Sequence, residues 1–126
     1  MFDYKLISSK ILFDHPYAKV ILDTLEHEGV ELVYFYLTSP VDAVATVGLT
    51  DKGCIILTRQ YRYPIQQVIY DLPAGHLNPG EDPMSGACRE FEEETCYYPR
   101  YIERLGYYNQ FPGVLKAATN IFLPPI

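Results

Sequence analysis

The chain has 126 residues, 48% of them hydrophobic, and its 10 basic and 16 acidic residues give a formal net charge of -6. That composition suits one small globular domain with a modest core, and the lack of a Lys/Arg cluster argues against long nucleic acid as a partner. No apolar run reaches the roughly 18 residues of a membrane span, and "MFDYKLISSK" lacks the basic start and apolar stretch of a signal peptide, so a cytoplasmic protein with no membrane partner is expected.

In chain order, the first seventy residues read as strands. The stretches "KLISSKILF", "YAKVILDTL" and "VELVYFYLT" are β-branched or alternating and are separated by turn signals at "DHP", "HEG" and "SPVD", which predicts an N-terminal antiparallel sheet. "AVATVGL" and "CIILTRQYR" flank "TDKG", with Gly53 suited to the left-handed position of a short loop, so a second hairpin is expected there. "QVIYDLP" follows, and then a Gly/Pro-rich loop, "AGHLNPGEDP". No repeat, linker or low-complexity segment marks a second domain, so residues 1–126 are taken as one. Cys54, Cys88 and Cys96 are odd in number and show no CxxC spacing, and they read as reduced thiols rather than disulfide partners or zinc ligands.

One helix stands out after the loop. Asp82 before Pro83 supplies an N-cap acceptor and a residue preset for the first helical position. Met84, Ala87, Cys88, Phe91 and Thr95 recur at helical spacing as a mainly apolar stripe, while Glu90, Glu93 and Glu94 share another face. Like charges at this spacing destabilise an isolated helix by roughly 0.2–0.5 kcal/mol per pair. Two readings remain open on charge alone. The face is either a solvated acidic surface, or a set of hard oxygen ligands for Mg²⁺ or Mn²⁺ shared with substrate phosphates.

"GHLNPGEDPMSGACREFEEETCY", from Gly75 through Glu81 to Arg89, Glu90, Phe91, Glu93 and Glu94, resembles the 23-residue Nudix box at every charged position. One position departs, since the family's glycine after the glutamates is Cys96 here. A non-glycine residue in the left-handed conformation costs about 1–2 kcal/mol, so a strained helix exit is expected. "TRQYRYP" and "YDLPAG" are similar to the ADP-ribose pyrophosphatase subgroup of that family.

The resemblance implies an α+β Nudix fold, a mixed sheet with helices in an αβα sandwich, preceded by an N-terminal antiparallel sheet in residues 1–40 and carrying the box at 75–97. It implies a divalent ion, Mg²⁺ or Mn²⁺, held by Glu90, Glu94 and the Ala74 carbonyl, with Glu93 as a further ligand or the general base and Arg89 in the catalytic set. Arg62, with Arg59 as a second candidate, would bind the diphosphate or terminal ribose; read from the residues themselves, Tyr34, Phe35 and Tyr36 in "VYFYL" are alternative stacking faces for an adenine, with Tyr36 put forward for the site. The implied reaction is hydrolysis of the diphosphate of ADP-ribose, or of a related nucleoside diphosphate sugar, to AMP and ribose 5-phosphate in the first case. Relatives often carry an acidic base after a "PG", where "PGVLKAATN" presents Lys116 and Ala117, and no carboxylate follows Glu103. The alternative is therefore a weakly active or inactive module that binds a nucleotide ligand. The sequence also stops where such domains continue into another helix. A C-terminally shortened domain, with "VYFYL" and "IFLPPI" to cover, is expected to form a homodimer, with exchanged strands as one form of it.

Overall fold

The computed structural model describes residues 3–124; Met1, Phe2, Pro125 and Ile126, including the ends of "MFDYKLISSK" and "IFLPPI", lie outside the described residues. Among those described, the strands are β1 (Lys5–His15), β2 (Ala18–His27), β3 (Val30–Thr38), β4 (Ala43–Thr46), β5 (Gly48–Leu49), β6 (Ile55–Ile56), β7 (Thr58–Arg62), β8 (Gln67–Asp71), β9 (Ala74–His76), β10 (Glu103–Asn109), β11 (Leu115–Lys116) and β12 (Ala118–Leu123). The α-helix is α1 (Pro83–Thr95), and a 3-10 turn spans Tyr63–Ile65. The class is α+β, as expected. The chain divides into two compact units, Met1–Pro40 with Asn109–Ala117, and Val41–Tyr108 with Ala118–Ile126.

The first unit is the expected N-terminal sheet, in the order β1-β2-β3-β11. β1, β2 and β3 form an antiparallel meander in which Ile21 faces Ile11 on one side and Tyr36 on the other. Glu28 and Gly29, with φ of 52° and 79°, make the two-residue connection between β2 and β3, and two positive φ values suit the twist of a tight hairpin. β11 adds to β3 in parallel. Every residue of β1 is exposed, including Leu6, Ile11 and Phe13, and Ile21 is the buried hydrophobic residue of this sheet.

The second unit holds a mixed sheet in the order β10-β12-β4-β9, with β4 parallel to β12 and antiparallel to β9. Helix α1 lays Ala87 and Phe91 into the core, where Ala87 joins Val44 of β4 and Phe122 of β12. Burying such side chains drives the packing at about 1.5–3 kcal/mol for each large one. The Thr46 hydroxyl donates to the Ala87 carbonyl, and Arg104 donates to the buried Asn120 at 2.7 Å.

Three sequence expectations change here. The hairpin around "TDKG" forms, with Gly53 at φ 74°, but its ladder is only β5 against β6; "AVAT" enters the mixed sheet and "TRQYR" pairs with "QVIYD" instead. Part of the predicted loop, "AGH", is edge strand β9, because β4 offers it a free ladder. Met84 lies off the buried stripe at 44% exposure, and Gly86, where a side chain would strike Leu77, takes the buried place.

Candidate functional site

Local sequence fixes the loop and the helix that carry the site. In "NPGE", Pro79 presets one central torsion and Gly80, at φ 77°, takes the other, while the Glu81 N–H closes the turn on the Asn78 carbonyl at 3.0 Å. Glu81 returns its carboxylate to the Asn78 N–H at 2.8 Å. The Asp82 carboxylate caps the helix by accepting from the Ser85 N–H at 3.0 Å, with Pro83 in the first turn. At the other end, Cys96 adopts φ 60° and ψ 15°, and its N–H donates to the Glu92 carbonyl at 2.8 Å. The expected left-handed exit is present without its glycine.

Arg89 organises the charges between those ends. Its Nε and Nη2 donate to the two oxygens of Glu81, both at 2.8 Å, and Nη2 also reaches the His76 carbonyl at 3.2 Å. Nη1 donates to Glu90 at 2.7 Å and to Glu93 at 3.3 Å. One guanidinium therefore ties the helix to the loop and offsets the glutamate repulsion. Hydrogen bonding to Glu81 and then to Glu90 raises the Arg89 guanidinium above its usual range. The bond from Arg89, with that from the Asn78 backbone, holds the Glu81 carboxyl at about 2.

The i, i+4 pair Glu90 and Glu94 meets two consecutive residues of β9. The Glu90 carboxylate lies over Gly75, where a Cβ would collide with it, so only glycine leaves this space. Glu94 accepts from the Ala74 N–H through Oε2 at 3.1 Å and from the Gln60 amide through Oε1 at 3.0 Å. Glu93 is far more open than Glu90, with 61% of its side chain exposed against 16%. The donors available here are hard carboxylate and carbonyl oxygens, which fit Mg²⁺ or Mn²⁺ rather than a softer metal. Among the described residues, no three His, Cys, Asp or Glu side chains are gathered in a ready cluster, consistent with Arg89 and Gln60 engaging the carboxylates.

The remaining sequence candidates fall in different places. Arg62 ends β7 and pairs with Asp71 across the hairpin at 3.1 Å. Arg59, exposed and opposite Tyr70, lines an open groove of about 430 Å³ together with Gln60, Glu94, Thr95 and Tyr97. Tyr36 belongs to the N-terminal sheet, where burial first and then the Asp23 carboxylate beside it raise its phenol. All three cysteines are free, and burial pushes the Cys88 thiol up. Sequence reasoning missed Gln60; its signal was the alternation of Thr58, Gln60 and Arg62 along β7.

A family model for the NUDIX domain matches residues 39–122. The chain belongs to the Nudix family. Over 81 residues it is 38% identical to the ADP-ribose pyrophosphatase of Bacillus subtilis, covering 64% of this chain and 44% of that one. Over 123 residues it is 30% identical to the methanol dehydrogenase activator of Bacillus methanolicus, covering 98% and 66%. The crystal structure of an ADP compounds hydrolase superposes with a TM-score of 0.87 at 23% identity, over 96% of this chain and 66% of that one. The likeness to the hydrolase structure establishes the Nudix fold, and this chain spans less than two thirds of each of these proteins. Among the described residues, no helix is long and apolar enough to cross a membrane.

Proposed function

We propose that this Nudix chain carries the catalytic face of a divalent-metal-dependent hydrolase acting on the diphosphate of ADP-ribose or a related nucleoside diphosphate sugar. The observation that carries the reading is the seating of Glu90 over Gly75 and of Glu94 on the Ala74 N–H, two carboxylates brought to one short strand edge. Glu90, Glu94 and the Ala74 carbonyl would hold Mg²⁺ or Mn²⁺; when bound, the ion would neutralise diphosphate charge and lower the pKa of attacking water. The protein's own groups do the rest. Arg89 keeps Glu90 and Glu93 oriented, and the exposed Glu93 carboxylate accepts the proton of the water as it attacks phosphorus. Arg62 and Arg59 draw the diphosphate into place by charge. For ADP-ribose, one P–O bond of the diphosphate breaks and the products are AMP and ribose 5-phosphate.

The ADP-ribose pyrophosphatases among its relatives support this substrate class. The N-terminal sheet supports a homodimer, since its apolar side chains on β1 and β3 are exposed. A second reading, a nucleotide-binding module with faded turnover, is favoured by Lys116 and Ala117 in the stretch where relatives often place an acidic base. One experiment separates the two: purified protein with Mg²⁺ and a panel of ADP-ribose, nucleotide sugars, dinucleotides and nucleoside triphosphates, followed by AMP release. Production of AMP from ADP-ribose supports the hydrolase. Saturable ligand binding with no product across the panel supports the binding module.

A further inference from the structure

The Gln60 side chain spans the gap between the β7–β8 hairpin and the helix. Its Nε2 donates to Glu94 Oε1 at 3.0 Å and to Thr58 Oγ1 at 3.1 Å, so both of its N–H groups are used. Thr58 can accept because its own hydroxyl proton is given to the Asp71 carbonyl at 3.3 Å. The amide orientation is thereby determined, since a flipped amide would set its oxygen against an acceptor-only carboxylate. From the other side, the Ala74 N–H holds Glu94 Oε2 at 3.1 Å. Each carboxylate oxygen then has one lone pair engaged and one left over.

We infer that Gln60 is a positioning residue that fixes the Glu94 carboxylate in the orientation needed to receive a divalent cation. The inference rests on the proposal that Glu94 is a cation ligand. Glu94 is exposed at the end of a long side chain, and such a side chain samples several rotamers unless something tethers both oxygens. The alternation of β7 places Gln60 on the strand face that meets Glu94, between Thr58 and Arg62. Outer partners of this kind are worth about 10–100-fold in metal affinity where they have been removed.

The test is a double-mutant cycle read by Mn²⁺ binding, using electron paramagnetic resonance of free Mn²⁺ with the full chain. Gln60→Leu is expected to weaken Mn²⁺ about 10-fold, and to have no further effect when Glu94 is already Gln. Melting curves verify folding, and Gln60→Met replaces the leucine variant if that one does not fold. Additive losses in the cycle, or unchanged affinity in Gln60→Leu, overturn the positioning role while leaving hydrolysis by the wild type to stand. Coupled losses in a protein that releases no AMP from any substrate sustain the role and sink the hydrolase. A wild type that binds no Mn²⁺ overturns both.

Discussion

Arg89 grips Glu81 with two 2.8 Å hydrogen bonds, Nε to Oε1 and Nη2 to Oε2, and so fastens the middle of the helix to the turn before it. The geometry is a planar fork on a carboxylate, which lysine cannot reproduce. Glu81 titrates at about 2 in the folded chain, against about 4.3 for an unfolded glutamate. A depressed carboxyl stabilises the fold fully above the unfolded value and loses that contribution as pH falls toward the folded one. Melting temperature is therefore expected to drop on acidification from about pH 5 to pH 2. Glu81→Gln should melt lower at pH 7 and show a shallower slope across that window; parallel slopes for the two proteins would contradict the assignment.

Gly75→Ala is expected to fold but to displace Glu90, because the new methyl would occupy the space of a flexible carboxylate rather than of backbone. Loss of about 10–100-fold in Mn²⁺ affinity, with a melting temperature close to wild type, is the expected pair of results. Full Mn²⁺ affinity in a folded Gly75→Ala protein would remove Glu90 from the cation site.

Glu90→Gln and Glu94→Gln each keep shape and remove a charge. Turnover of ADP-ribose with Mg²⁺ should fall roughly 100-fold or more in either, equivalent to about 2.7 kcal/mol of transition-state stabilisation. Initial rates of AMP release decide the matter, and unchanged rates in both variants exclude these glutamates from the mechanism.

The helix exit at Cys96 stores strain that glycine would relieve. With φ at 60° and an exposed side chain, Cys96→Gly is expected to stabilise the chain by on the order of 0.5–1 kcal/mol, the gain reduced by the greater freedom of glycine in the unfolded state. Urea titration measures it. A lower midpoint in the glycine variant would mean that the thiol makes a contact worth more than the strain.

β1 presents Leu6, Ile7, Ile11, Leu12 and Phe13 to solvent, and β3 adds Val33 and Phe35. Covering several hundred Å² of such surface gives a gross gain on the order of 10 kcal/mol, enough to offset much of the cost of association. Light scattering at micromolar concentration should give twice the chain mass, and Phe13→Lys with Phe35→Lys should shift it toward monomer. A stable monomer throughout that range refutes pairing through this sheet.

The sequence alone determined the elements whose signals are local. Alternation marked the three N-terminal strands, Asp82 and Pro83 marked the helix start, and the spacing of Glu90, Glu93 and Glu94 put three carboxylates on one face. These depend on backbone periodicity and on side chains reaching a few residues along their own chain. What stands opposite each glutamate was decided only by tertiary structure. Nothing near Glu94 in sequence points to Gln60, 34 positions away; the resemblance put the Ala74 carbonyl beside Glu94, 20 positions away, but not the Ala74 N–H that holds it, and both partners arrive by the pairing of β7 with β8 and of β4 with β9. The same holds for Arg89: its place in the box was legible, but its service to Glu81, Glu90, Glu93 and the His76 carbonyl at once required the loop to fold back over the helix. Strand partners were the hardest to foresee. "AVAT" and "TRQYR" each read correctly as strands, yet choosing between nearby and distant ladders is a competition among burial energies over the whole core, which no short window of sequence contains.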